Sequence, residues 1–175
     1  YRIFPPLRGS LLSINSYSVT VSFQPIPSIS PTILNSLIPL SERSISKWEG
    51  AKIAKSVERW QTIVSEAAKQ SRRVYEPVVA QPLGSKQLVA AVKTFDVVLV
   101  LDPTAASGLG SLDFRPNQKS IAIVVGPEGG ISDHELEALE DAGAVRVHLG
   151  EPILRTSTAG VAAISVIQSK LGLWG

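Results

Sequence analysis

Two short loops hold the residues whose types and spacing can do chemistry. The first is Gly126-Pro127-Glu128-Gly129-Gly130, a glycine-rich turn with one acid in it. Glycines let the backbone approach a ligand closely. The turn is neither a GxGxxG fingerprint nor a phosphate loop, because no Lys-Ser/Thr pair follows it. By itself it reads equally as a tight connection with Glu128 in solvent. The second loop is Leu149-Gly150-Glu151-Pro152-Ile153-Leu154-Arg155-Thr156-Ser157-Thr158. Arg155 is the one Lys or Arg between Arg146 and Lys170. It stands at the start of an apolar helical segment, where the helix dipole disfavours a cation. An anionic partner, either a substrate or a neighbouring carboxylate, would resolve that conflict.

Both loops sit where an α/β pattern places them. Val97–Leu101, Ile121–Val125 and Val145–Leu149 are predicted strands. The first two are almost continuous in Val, Ile and Leu, as strands covered on both faces are. Each loop follows one of these strands and precedes a helix, the position at which parallel sheets bind ligands. Ser132 and Glu135 form a capping box for the helix after the first loop, and Gly143 ends that helix. The segment from Thr158 to about Leu171 is apolar nearly all round, which predicts a helix buried in the core or against another subunit. Upstream, Ile53, Val57, Trp60, Val64 and Ala67 make one apolar stripe on a predicted helix over Ala51–Gln70, with Lys52, Lys55, Arg59 and Lys69 off it. A shorter helix is predicted over Ser85–Thr94. Leu37–Leu40 is a predicted strand, and so is Ser18–Phe23, broken by Gln24-Pro25-Ile26-Pro27. Strands alternating with helices imply an α/β fold with a parallel sheet.

Composition narrows the chemistry. The chain has 175 residues, 44% hydrophobic and 18% charged, enough to build a core and far from a disordered tail. There is no Cys, which excludes a thiol nucleophile, a CxxC zinc site and a disulfide framework. Two His residues, His134 and His148, give no basis for a His-rich metal cluster, and no metal is expected. No apolar run reaches the ~18 residues of a membrane span. Charge is uneven. Residues 1–75 hold ten Lys or Arg against four acids, whereas residues 76–175 hold seven against eleven. The basic half is suited to a polyanion. Residues 1–36 are rich in Ser and Pro and contain no acid.

The two loops, read together, resemble a known family. Val124-Val125-Gly126-Pro127-Glu128-Gly129-Gly130-Ile131-Ser132, Glu135, Leu149-Gly150 and Ile153-Leu154-Arg155-Thr156-Ser157-Thr158-Ala159 are similar to the RsmE family, SPOUT-class methyltransferases of 16S ribosomal RNA. Ser41-Glu42-Arg43-Ser44, Glu58-Arg59-Trp60 and Glu66-Ala67-Ala68-Lys69-Gln70-Ser71-Arg72-Arg73 extend the likeness upstream, so that it covers roughly residues 37–174. The resemblance implies a parallel α/β domain with a C-terminal trefoil knot, an exception to the usual absence of knots. It implies a homodimer with the last helix near the interface, S-adenosylmethionine as methyl donor, and N3-methyluridine in small-subunit rRNA as product. The implied compartment is the cytoplasm, or an organelle in a eukaryote. The family carries an N-terminal PUA-like β-barrel that holds RNA. Residues 1–36 are too few for it and are expected to be a remnant or an incomplete stretch of it, with the methyltransferase domain at 37–175.

Residue by residue, the resemblance places the donor against Leu101, Gly126, Pro127, Gly129, Gly130, Leu149, Gly150, Ile153, Leu154 and Thr158. Backbone amides and carbonyls there would meet adenine, with Leu149, Ile153 and Leu154 as apolar walls. Uridine N3 is a poor nucleophile until its proton leaves. Glu128 is therefore expected to accept or orient that proton, and Arg155 to stabilise charge on the uracil oxygens. Arg43, Arg72 and Arg73 are the expected phosphate contacts. Two other outcomes stay open: a SPOUT enzyme acting on a ribose 2′-hydroxyl, and a non-catalytic RNA-binding protein of the same fold.

Overall fold

The computed structural model describes residues 18–26, 30–40, 51–72, 76–115, 118 and 120–172. Its centre is β4 (Val97–Leu101) and β5 (Ile121–Val125), paired in parallel from Val97 opposite Ile121 to Leu101 opposite Val125. Strict alternation along these strands sends side chains to two cores. Leu99, Leu101, Ile121, Ile123 and Val125 join one, while Val98, Val100, Ala122 and Val124 join the other. That is why both strands read as continuous apolar runs.

Helices cover both faces. α1 (Ala51–Gln70) and α4 (Thr156–Lys170) contribute Val64, Ala159, Ala163 and Ile167 to the first core. α2 (Ser85–Val92) and α3 (Asp133–Asp141) contribute Leu88, Val92, Leu136 and Leu139 to the second. The capping box of α3 is present: Ser132 Oγ accepts from the Glu135 amide, and Glu135 Oε2 accepts from the Ser132 amide at 2.9 Å. Glu135 Oε1 also accepts from Ser85 Oγ at 2.8 Å, which ties α3 to the start of α2.

The sheet has six strands in the order β3-β2-β1-β5-β4-β6, with β1 at Ser18–Ile26, β2 at Ser30–Leu40, β3 at Val78–Val79 and β6 at Val145–Val147. The β5-β4-β6 part is parallel as expected, but β1 runs antiparallel to both β2 and β5. Two smaller expectations shift with it. Pro25 does not end β1. The strand continues to Ile26 through a register shift between Gln24 and Ile26, the kind of irregularity that accommodates a residue lacking an amide proton. The boundary drawn between residues 36 and 37 falls inside β2, so residues on both sides of it belong to this sheet.

β6 is shorter than its apolar run. β4 ends at Leu101 opposite Val147, and the chain then leaves the sheet, so His148 pairs instead with Gly108 in an isolated bridge. α4 begins two residues earlier than predicted because the Arg155 carbonyl accepts from the Thr158 and Ala159 amides at 2.8 and 2.9 Å. It buries one stripe of small and apolar residues, whereas Val161 on another side is 57% exposed.

Candidate active site

The carboxyl ends of β4, β5 and β6 open into one cleft of about 360 Å³. Three connections form its walls. Leu101 to Pro103 follow β4, Gly126 to Glu128 with Gly130 follow β5, and His148 to Gly150 with Pro152 to Thr156 follow β6. Of the residues singled out in the two loops and at Leu101, all line the cleft except Gly129 and Thr158. Arg72 lies apart, exposed at the end of α1 with φ of +52°. Arg43 and Arg73 lie outside the described residues.

Local structure explains how the loops meet. A Cβ on Gly126 would stand 3.0 Å from Ile131 Cγ1, so any larger residue there would press on the Ile131 side chain where the chain returns after β5. The Thr156 hydroxyl donates to the Gly126 carbonyl at 3.0 Å, stitching the start of α4 to the first loop. Gly150 has φ of +120°, a conformation that side-chain-bearing residues avoid, and it turns the second loop away from β6. Beyond it, Ile153 is 78% exposed and Leu154 36%. Large apolar side chains standing in solvent beside a concave wall are available to cover a ligand.

Arg155 is the N-cap residue of α4, yet its side chain makes no capping bond. It takes part in neither of the two ion pairs found among the described residues, both of which belong to Arg146. The carboxylate partner that would have made Arg155 purely structural is therefore not among them, and Arg155 lines the same cleft as Glu128.

The buried acid of the cleft is Asp102, which spacing alone does not single out, although a carboxylate directly after an apolar strand was the available signal. It is 9% exposed. Arg146 reaches it from β6, with Nε donating at 2.8 Å and Nη2 also bonded to the same oxygen. Thr104 donates to it from both its amide, at 3.0 Å, and its hydroxyl. Burial pushes the Asp102 carboxyl up, but the Thr104 amide and the Arg146 guanidinium outweigh burial and hold it below the ordinary carboxylate value. Arg146 is raised in turn, chiefly by its bond to Asp102. This pair joins the ends of β4 and β6, from which two of the three walls spring.

A group with a depressed folded pKa stabilises the fold above its unfolded pKa, and that contribution is lost as pH falls through the folded value. Asp102→Asn should therefore cost about 2 kcal/mol at neutral pH, less than a fully buried pair because Arg146 keeps some contact with water. The deficit should shrink in acid, where wild type loses the same contribution. Chemical denaturation at pH 7 and pH 3 checks this, and an equal deficit at both would rule out the charge as the cause.

Among the described residues, no group of three His, Cys, Asp or Glu could hold a metal, and no helix is long and apolar enough to cross a membrane. Comparison with known proteins bears on the same cleft. Residues 34–168 match the model of the RNA methyltransferase domain family. The chain is 41% identical over 137 residues to ribosomal RNA small subunit methyltransferase E of Mycobacterium bovis, covering 75% of this chain and 52% of that protein. It is 37% identical over 131 residues to the protein of the same name from Bacillus subtilis, covering 71% and 51%. A crystal structure of ribosomal RNA small subunit methyltransferase E from Neisseria gonorrhoeae bound to S-adenosyl methionine superposes with a TM-score of 0.69 at 36% identity, over 79% of this chain and 55% of that one. The chain spans about half the length of the curated relatives it matches. With the family match running over residues 34–168 and enclosing every residue that lines the cleft, the chain belongs to the RNA methyltransferase domain family, and within it to the RsmE group.

Proposed function

We propose that the cleft binds S-adenosylmethionine and that the chain methylates N3 of a uridine in small-subunit ribosomal RNA. The observation that carries this reading is the convergence of two loops, an exposed apolar wall and a cation without an ion-pair partner among the described residues at the ends of three parallel strands. The residues present fit the donor. Leu101, Leu149, Ile153 and Leu154 offer apolar contact, and the glycines of both loops bring backbone amides and carbonyls to the cleft. The donor supplies a methyl group activated by an adjacent sulfonium. Glu128 takes the proton from uridine N3 as the new N–C bond forms, and Arg155 stabilises the negative charge spreading to the uracil oxygens. The displacement is in line, so the loops act mainly by positioning.

Residues 37–175 form the methyltransferase domain in this reading, supported by the family match over 34–168. The first 36 residues are read as a remnant of an RNA-binding barrel, of which 18–26 and 30–36 pair into the same sheet as the methyltransferase strands. A homodimer through α4 is supported by the exposure of Val161 on its outer side. Arg43, Arg72 and Arg73 contact phosphates, assisted by the exposed Lys52, Lys55, Arg59 and Lys69 of α1. Joint Arg72→Glu and Arg73→Glu substitution should weaken rRNA binding about tenfold near 0.1 M salt and flatten its salt dependence. An unchanged slope in a salt titration would remove these residues from the interface.

The test is calorimetric titration with S-adenosylmethionine, followed by incubation with small ribosomal subunits and nucleoside analysis. Saturable binding and new N3-methyluridine support the proposal. A 2′-O-methylated product would assign a ribose methyltransferase instead, and absence of donor binding would leave an RNA-binding protein.

A further inference from the structure

We propose that His148 is a positioning residue, whose imidazole holds the loop from Leu149 to Arg155 in the shape that receives the methyl donor. The proposal rests on the reading of the cleft as the donor site. His148 lines the cleft and is half-buried. Its backbone is fixed on both sides by the connection that follows β4: its amide donates to the Ser107 carbonyl at 3.0 Å, and its carbonyl accepts from the Leu109 amide at 2.9 Å. Leu109 is itself only 1% exposed, so this anchor reaches into the core. From that fixed point Nδ1 accepts the Gly150 amide proton at 3.0 Å. A neutral ring accepting at Nδ1 carries its proton on Nε2.

The bond matters because of what comes after it. Gly150 occupies the positive-φ turn, and residues 151–155 are all exposed and lie in neither strand nor helix. Their ties to the rest of the fold include this bond at one end and the Thr156 hydroxyl on the Gly126 carbonyl at the other. Between the two ties lie Ile153, Leu154 and Arg155, the wall and the cation of the cleft. The ring is kept in place from behind by Gly108, where a Cβ would stand 3.2 Å from His148 Cε1 and 3.5 Å from Nε2. Gly108 has φ of −81°, which any residue adopts, so an alanine there would strain the ring contact and not the backbone.

Four variants test this: His148→Ala, His148→Asn, Gly108→Ala and the Gly108→Ala/His148→Ala double. An Asn side-chain oxygen can accept from the amide two residues on, as in an Asx turn. His148→Ala should weaken S-adenosylmethionine binding about five- to tenfold, the effect of one lost neutral hydrogen bond, and His148→Asn should restore it to within about twofold. Gly108→Ala should weaken it about threefold alone and add nothing once the ring is gone, because coupled neighbours are not additive. In the ligand-free protein, the Gly150 amide should exchange faster with solvent in His148→Ala and at the wild-type rate in His148→Asn. Wild-type affinity in His148→Ala, or additive effects in the double variant, would overturn the proposal. If wild type itself fails to bind the donor, the reading of the cleft falls. The exchange measurement still judges the tie, and an unchanged Gly150 rate in His148→Ala would show that no such tie operates.

Discussion

Leu154→Arg should weaken S-adenosylmethionine binding by at least about 30-fold while leaving the fold intact. Leu154 lines the cleft and is 36% exposed, and it belongs to neither buried core. Its replacement therefore leaves core packing alone, and folding stability should change by less than about 0.5 kcal/mol. Binding should respond differently. On the proposed reading the donor covers the exposed part of the side chain, so wild type gains roughly 1 kcal/mol of apolar burial that the variant forgoes. The variant also brings a guanidinium, beside that of Arg155, to a site for a sulfonium cation, and desolvating an unpaired charge adds another 1–3 kcal/mol or so. Together these reach about 2–4 kcal/mol, or some 30- to 1000-fold in affinity. Calorimetry checks the loss and thermal unfolding checks the fold. Leu154→Met, which conserves volume and polarity, should bind within about threefold of wild type. Binding of the Arg variant within threefold would show that the 149–155 wall does not touch the donor.

How much of this was legible depends on the range of the interaction concerned. The helix over Ala51–Gln70 has the predicted bounds because its apolar stripe and its basic face are local patterns. The Ser132–Glu135 capping box is likewise confined to four residues. The strands Val97–Leu101 and Ile121–Val125 announce themselves because both of their faces are buried. Pairing between distant segments leaves no such mark. Nothing local to Val19 says that it lies opposite Val125, antiparallel, in the middle of a six-stranded sheet. The bond between Asp102 and Arg146 is of the same kind, and so is the contact between Gly108 and the His148 ring. Asp102 carries a local signal as a carboxylate directly after an apolar strand, but nothing local names the partner in either contact. The loops at 126–130 and 149–158, which line one cleft, were legible as candidates for chemistry for the opposite reason. Their glycines, prolines and single charges break an apolar background, and such breaks are tolerated where a strand end meets a ligand.

The same separation between backbone and side-chain roles makes Arg155 a clean test of catalysis. Its carbonyl caps α4 by accepting from Thr158 and Ala159, and any residue with that backbone can do the same. Its side chain makes no capping bond and takes part in neither ion pair found among the described residues. Arg155→Ala should therefore fold normally and bind S-adenosylmethionine within about threefold of wild type. The rate of methyl transfer should fall about 10²- to 10³-fold, as expected when one preorganised donor to developing negative charge is removed from a cleft. Arg155→Lys keeps the charge but not the planar fork, so about tenfold of the loss should remain. Glu128→Gln would remove the proposed proton acceptor and should cost about 10²-fold or more. If the two residues act on one uracil, the double variant should be little slower than the worse single variant, because groups that act as a unit are not additive. Single-turnover rates with saturating rRNA separate this from simple RNA binding. An Arg155 that only grips a phosphate would raise KM, respond strongly to salt and leave kcat alone. That pattern would move Arg155 from the reacting base to the backbone of the RNA, and Glu128 would then have to meet the N3 proton without a cation acting on the same base.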